Sequence, residues 1–380
     1  MSETRRPPVF AALILAAGYS SRMGHFKPLL PLDGKTVIES SIGTFHGAGI
    51  SRIMVVTGHE AEQLQPLLKD MGISAVHNPY SASGMYSSVQ AGIQALPGDV
   101  DACFLLPADI PLVRPVTVKM ITERYASGQP SVVYPAFQGQ RGHPPLIANS
   151  LFAEILAGNG EGGLCALLQR HETDASKVEV FDEGILLDMD TPQDYARLTK
   201  LAPRHHVPTT AECEAILSAL AVPEPICRHG RAVAEIAEAL TNRLNTHGLT
   251  IDPDLVRAAS LLHDIAKGQP AHAMVGAAIV TELGFPEVAN IIRQHMDMNF
   301  DGGAPREASI VFLADKLVKE DHCVSLEERF RPAFERFVNQ PQALRGATRK
   351  YATARAILAA VERQTKATAT EIFKHCGAPA

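Results

Sequence analysis

The chain has no CxxC pair, no apolar run long enough to span a bilayer, no low-complexity tract, no internal repeat and no excess of basic residues. Each absence excludes a class of function. With 35 basic against 41 acidic side chains and a formal net charge of −6, no broad surface is available to neutralise a run of phosphates. Any phosphate chemistry therefore belongs in a local pocket, and nucleic acid is not an expected partner. The six cysteines, Cys103, Cys165, Cys213, Cys227, Cys323 and Cys376, lie far apart in apolar or helical stretches. That distribution predicts reduced, mostly buried thiols. Arg5 and Arg6 followed by the apolar run from Val9 to Ala17 imitate a secretory signal, but the run is short and leads straight into a glycine and a basic loop. The expectation is a cytoplasmic protein with no membrane partner.

At 380 residues the chain exceeds the size at which one core keeps growing, so two domains are expected. A content of 46% hydrophobic and 20% charged residues separates it from disordered and fibrous chains. From Val9 to about Leu201, strand-like runs (FAALILAAG, RIMVVTG, SAVHN, DACFLLPAD, PSVVYPAF) alternate with helix-like segments such as IESSIGTFHGAG and AEQLQPLLKDMG. Crossovers of this kind imply a mostly parallel sheet covered on both faces, a three-layer α/β domain over residues 9–201. The aperiodic, proline-bearing stretch LAPRHHVPTT marks a linker over 202–212. Beyond it apolar residues recur at helical spacing, as in Val233, Ile236, Leu240 and Leu244, and Asp252 before Pro253 is a capped helix start. No strand-like alternation is visible, so residues 213–370 read as an all-α domain.

The segment LILAAGYSSRMGHFKPLLPLDGK begins as a buried strand and breaks at Gly18. A loop of small residues lets backbone amides approach a triphosphate, and Arg22 and Lys27 supply neutralising charge. Asp109 closes the apolar run CFLLPADIPLV, which places a carboxylate at the carboxyl end of a strand, the ligand-binding edge of open parallel sheets. Asp188 and Asp190, in LLDMDTPQDY, read as a second acidic strand end just before a helix. Carboxylates from distant segments suit a magnesium ion whose shell phosphate oxygens complete.

With LAAGYSSRMGHFK, NPYSASGMYSSVQAGI, LLPADIPLV, GHPPLI and DMDTPQDY in this order, residues 10–200 resemble the MobA/MocA-like nucleotidyltransferases, whose fold is that of the nucleotide-diphospho-sugar transferases. The resemblance implies that Ala16, Ala17 and Gly18 line the nucleotide and that Arg22 and Lys27 hold its phosphates. It further implies magnesium at Asp109 and Asp190, with Asp188 beside them, Gly84 and Ser88 near the base, and Gly142 and His143 facing the acceptor. A second reading of His143 is that it only orders its turn. Guanylyl members look like AGG in the first loop where this chain has AAG, as cytidylyl members do, so CTP is favoured over GTP. The acceptor implied is a molybdopterin-type molybdenum cofactor, with molybdoenzymes as recipients. A sugar or alcohol phosphate is the alternative.

In the second half His229 lies on the apolar face of its helix, His263 and Asp264 end another apolar helix, His295 follows Ile291 and Ile292, and Asp315 sits within IVFLADKL. Imidazoles and carboxylates gathered in one core without a metal are costly to bury. Residues 225–330 resemble the HD superfamily of metal-dependent phosphohydrolases. His272 and His295 match the additional histidines of its dinuclear subgroups, in which Asp264 would bridge two metals, and HDIAK, HAMVGA and ADK look closest to diadenosine tetraphosphate hydrolases. The resemblance implies one or two iron or manganese ions that activate water toward a phosphoester, with Lys267 steadying the phosphate. Lys267 also reads as a solvated charge at a helix end. The alternative for the whole half is a nucleotide-sensing or oligomerising module.

Overall fold

A run such as Phe10–Ala16, in which Ala11 to Ile14 are 0–1% exposed, can satisfy its backbone and bury both faces only as an interior strand. In the computed structural model, which describes residues 6–18, 23–368 and 371, it is central. The eight-stranded sheet runs Ala175–Glu179, Val132–Phe137, Leu146–Ala148, Ala102–Pro107, Phe10–Ala16, Arg52–Thr57, Ser74–His77, with Gln140–Arg141 folded back on Val132–Phe137. Leu146–Ala148 is antiparallel to both its neighbours, and the other pairings along the path are parallel. The mostly parallel α/β sheet is thus as anticipated.

Register explains where ligands must go. Leu15 pairs with Pro107, so the loops that follow Ala16 and Pro107 leave the sheet side by side at its carboxyl edge. Helix Met85–Ala95 packs on Phe10–Ala16 and Arg52–Thr57 at very short range. A Cβ at Gly92 would lie 2.9 Å from Leu13 Cδ1 and 3.0 Å from Val56 Cγ2, so only glycine allows that approach. Capping boxes at Thr36 with Glu39 and at Thr191 with Asp194 start helices Val37–Gly47 and Pro192–Leu201.

Two elements differ from the sequence reading. The run ILLDMD forms no strand: a 3₁₀ turn over Glu183–Leu186 leads into an irregular segment that buries Met189 completely. Asp182 is the reason. Its fully buried carboxylate accepts from the Arg114 and Gly184 amides at 2.7 and 3.1 Å, from Thr117 Oγ1 at 2.6 Å and from Arg114 Nη1 at 3.2 Å. Those bonds fix a turn where a strand would need to stay extended. The stretch read as a linker over 202–212 is also structured: Ala202–Arg204 form a 3₁₀ turn, Ala202 and Val207 are buried, and Thr209 caps helix Thr210–Ala219. The chain divides into two compact units between His205 and His206.

The second unit holds helices Thr210–Ala219, Glu224–Thr246, Pro253–Leu262, His272–Glu282, Pro286–Gln294, Glu307–Lys316, Leu326–Arg336 and Pro341–Thr365. Asp252 caps the third of these through the amides of Asp254 and Leu255, as its place before Pro253 predicts. The unit is helical but not entirely so, because Val318–Lys319 and His322–Cys323 make a two-stranded hairpin with Glu320 in the left-handed region. Two-residue pairings are too short to leave an alternation in the sequence. Of the cysteines among the described residues, Cys103, Cys213 and Cys227 are buried and Cys165 is exposed. Among these residues no helix is long and apolar enough to cross a membrane.

Candidate active sites

At the carboxyl edge of the sheet lies a cavity of about 360 Å³ lined by Ala16, Ala17, Gly18, Gly84, Ser88 and Asp109 among others. The sheet supplies one wall through the ends of Phe10–Ala16 and Ala102–Pro107, and helix Met85–Ala95 the other. Gly84, with φ of 95°, is the residue before that helix, a backbone conformation that L side chains rarely adopt. Ser88 is buried and accepts from Asn78 Nδ2 at 3.0 Å. Asn78 also reaches Ser87 Oγ at 2.9 Å and was not singled out by sequence, because a lone asparagine in NPYSAS reads as a turn residue.

Lys27 brings the charged residues together. Its Nζ lies 3.1 Å from Asp109 Oδ2 and 2.9 Å from Asp190 Oδ1. Burial alone would lower the ammonium's pKa, but the two carboxylates outweigh it and raise it. Asp188 is held above the usual carboxylate range by partial burial and by the charges of Asp190 and Asp109, which places it in the same negative field. The oxygen-only donor set fits magnesium, an ion that takes one or two carboxylates together with substrate phosphates. These carboxylates do not form a closed cage, because Lys27 stands between two of them. Arg22 lies outside the described residues.

His143 stands beside this group. Burial lowers its imidazole pKa, opposed by the Leu105 backbone, Asp109 and Asp188, and its Nδ1 is buried without a hydrogen-bond partner. Gly142 has a packing reason: a Cβ there would sit 2.5 Å from the Ile185 carbonyl oxygen, which accepts from the His143 amide at 2.9 Å. The same 182–190 segment therefore seats both His143 and Asp188.

In the helical unit six predicted ligands converge. His229 comes from within Glu224–Thr246, His263 and Asp264 from the end of Pro253–Leu262, His272 from the start of His272–Glu282, His295 from the end of Pro286–Gln294 and Asp315 from Glu307–Lys316. His229, His263, His295, Asp264 and Asp315 are all 6% exposed or less. Asp264 is shared. Its Oδ2 faces His263 Nε2 at 3.4 Å and His229 Nε2 at 3.9 Å, whereas its Oδ1 faces His272 Nε2 at 3.3 Å and His295 Nε2 at 3.6 Å. Asp315 Oδ1 joins the first pair, 3.2 Å from His229 and 3.8 Å from His263. Two groups with metal-ligand spacing result, His229–His263–Asp264 and Asp264–His272–His295.

Three Nδ1 atoms are committed to backbone carbonyls: His229 to Glu320 at 2.7 Å, His263 to Ser260 at 2.8 Å and His295 to Ile292 at 2.7 Å. Each Nδ1 donates, which turns Nε2 toward the carboxylates, and Nε2 of His263 and of His295 is buried without a hydrogen-bond partner. Such orphaned imidazole nitrogens beside carboxylates fit divalent metal ions. The Glu320 carbonyl is a contribution of the hairpin turn that no residue type announces. Burial would raise the Asp264 carboxyl, yet His263, His295 and Lys267 hold it well below the usual range. Lys267 Nζ donates to Asp264 Oδ2 at 2.5 Å, so it is tied to the cluster.

The MobA-like NTP transferase domain matches residues 12–175. Molybdenum cofactor cytidylyltransferase of Escherichia coli is 32% identical over 185 residues, covering 48% of this chain and 92% of that protein. The chain belongs to the MobA-like NTP transferase family. Its first half is a nucleotidyltransferase, and the HD domain matches residues 226–319 of the second. Purine catabolism protein PucB of Bacillus subtilis is 27% identical over 201 residues, 50% of this chain and 96% of that protein. A solved nucleotidyl transferase from Methanothermobacter thermautotroptrophicus is 28% identical with a TM-score of 0.46, covering 52% of this chain and 98% of that one.

Proposed function

We propose that the first half transfers a nucleotidyl group, CMP in preference to GMP, from its triphosphate to a phosphorylated acceptor of the molybdopterin type, in the cytoplasm. The observation that carries this reading is the meeting of Lys27, Asp109 and Asp190 at the mouth of a cavity lined by Ala16, Ala17 and Gly18. The volume, about 360 Å³, falls in the range of small-molecule sites. Ala17 supports the smaller base, since it stands in the cavity wall where guanylyl relatives look like glycine.

An acceptor phosphate oxygen attacks the α-phosphorus in line, a P–O bond forms, and the bond to pyrophosphate breaks. The attacking phosphate is already ionised, so no side chain has to remove a proton. Asp109 and Asp190 would hold magnesium, with Asp188 beside them; when bound, that ion neutralises charge on the departing pyrophosphate. Lys27 adds a fixed positive charge at the same edge, and the small residues of the first loop leave room for phosphate oxygens. Gly142 and His143 face the acceptor. Competition between equal labelled CTP and GTP, with molybdopterin, sugar phosphates and alcohol phosphates as acceptors, tests this. A dominant GMP product overturns the base assignment, and transfer only to a sugar or alcohol phosphate overturns the acceptor.

The second half is assigned as a dinuclear, metal-dependent phosphohydrolase. The shared Asp264, with one histidine pair on each oxygen, carries that reading. His229, His263, Asp264 and Asp315 would hold one ion, and Asp264, His272 and His295 the other. Iron or manganese suits this mixed nitrogen and oxygen set and supplies Lewis acidity toward water and phosphate oxygen. Elemental analysis of protein purified without chelator should find about two transition-metal ions per chain, in line with the two ligand groups. Metal-free protein that still folds and releases no phosphate would leave only a sensing module.

A further inference from the structure

The cavity beside Asp264 and Asp315 has a wall that the metal-ligand cluster does not explain. It encloses about 430 Å³ and reaches residues of helices Leu326–Arg336 and Pro341–Thr365, both beyond the matched residues 226–319. Four cationic side chains line it: Lys267, Lys316, Arg329 and Lys350. The first two have carboxylate partners, Lys267 in Asp264 and Lys316 in Asp315. The other two do not. Among the described residues the Arg329 guanidinium makes no hydrogen bond or ion pair, and its Nε is buried without a partner. Lys350 is half-buried and likewise unpaired, and Asp297 nearby is taken by Arg349 Nη2 at 2.6 Å.

A buried donor left unsatisfied is costly, and the half-buried, unpaired Lys350 ammonium lines the same cavity. Phe330, Phe337 and Met296 complete the wall beside these charged groups. Burial and the Lys316 charge already push the Lys350 ammonium below its usual range. A multiply charged anion with several acceptor oxygens offsets all of this at once, and a guanidinium suits phosphate oxygens in particular.

We propose that Arg329 and Lys350 form a second anion subsite, so that the ligand of this cavity carries at least two linked phosphates, one at the histidine–aspartate cluster and the next between these two side chains. The assignment rests on the reading of the cluster as a phosphohydrolase centre. A single phosphate would engage the cluster alone and leave both cations unpaired.

The test uses full-length protein carrying Lys27→Ala, which removes the first cavity's cation, in calorimetric titrations with inorganic phosphate and with pyrophosphate. Pyrophosphate should bind at least about tenfold more tightly than phosphate, as one charged pair and its hydrogen bonds require. Arg329→Gln and Lys350→Gln should each remove about tenfold of the pyrophosphate affinity, with phosphate affinity and metal content unchanged, and Lys350→Arg should retain it. Equal affinity for the two anions, or equal weakening of both by these variants, overturns the subsite. Phosphate release and bound metal without pyrophosphate selectivity would sink the subsite and spare the hydrolase reading. Selectivity that depends on Arg329 in a protein that binds no metal would do the reverse.

Discussion

In the α/β half the charged groups stand on loops beyond the sheet and keep part of their surface in water, with side-chain exposures of 12% for Lys27, 29% for Asp109 and 42% for Asp190. In the helical half they sit within or at the ends of helices, and the side chains of His263, His295 and Asp264 keep 0%, 1% and 6%. In the first site the lysine stands between two carboxylates that remain partly open to water. The second is held before any ligand arrives, because backbone carbonyls orient three of its imidazoles. A loop site tolerates exchange of nucleotide and product, whereas a helical site keeps resident ions in place.

The contrast is most open to attack at Asp264. Asp264→Ala should remove both metal equivalents together and lower phosphate release by about a thousandfold or more, because the carboxylate serves both groups. His272→Ala should remove only one. Elemental analysis showing one ion retained in Asp264→Ala would contradict the shared ligand.

At the loop site, Asp109→Ala should cost about a hundred- to a thousandfold in nucleotidyl transfer through lost charge stabilisation, with the melting temperature nearly unchanged since the group is part-exposed. Near-normal turnover would dismiss the Lys27–Asp109–Asp190 assignment.

Gly184→Ala tests whether the 182–190 segment is the support of that site. A Cβ there would meet the Leu112 carbonyl oxygen at 1.9 Å, so the segment must shift, at about 1–3 kcal/mol. Denaturant melts should show the loss. Transfer should fall with Asp188 and Asp190 displaced, and metal content in the helical half should stay constant.

Asp252→Ala removes the cap of helix Pro253–Leu262, which delivers His263 and Asp264, and should cost about 1 kcal/mol by chemical denaturation without loss of metal. A metal-free product would mean that the cluster depends on that helix end more than its carbonyl bonds indicate.

The smallest expected effect follows from dividing the chain between His205 and His206. Each half should fold and keep its own chemistry, as judged by circular dichroism and the two assays. A cut one residue earlier would remove the His205 carbonyl that accepts from Arg114 Nε at 3.1 Å and should weaken the first half.

Much of this was legible in the chain itself. The strands Phe10–Ala16, Arg52–Thr57 and Ala102–Pro107 are continuous apolar runs, and a run buried on both faces has no other fate between two helical layers. Asp109 was readable for the same reason: the run ends where it stands. Helical periodicity exposed His229, the end of an apolar helix exposed the adjacent His263 and Asp264, and the position of Asp264 between two histidine pairs was implied only by the resemblance to dinuclear HD proteins. The LLDMD run misled, since Asp182, which turns it into a loop, looks like any acidic residue until Arg114 and Thr117, some 65 positions away, close on it.

By itself the sequence determined the elements, their apolar faces and the residue types that carry chemistry, because periodicity and capping are local and act over a few residues. Tertiary structure alone decided which atoms meet: that Lys27 lies between Asp109 and Asp190, that a hairpin carbonyl at Glu320 fixes the ring of His229, and that Arg329 and Lys350 line the cavity beside Asp264 and Asp315 while neither is ion-paired to those carboxylates. Those contacts join positions tens to more than a hundred residues apart, and their energies depend on burial and distance, which exist only once the chain has packed.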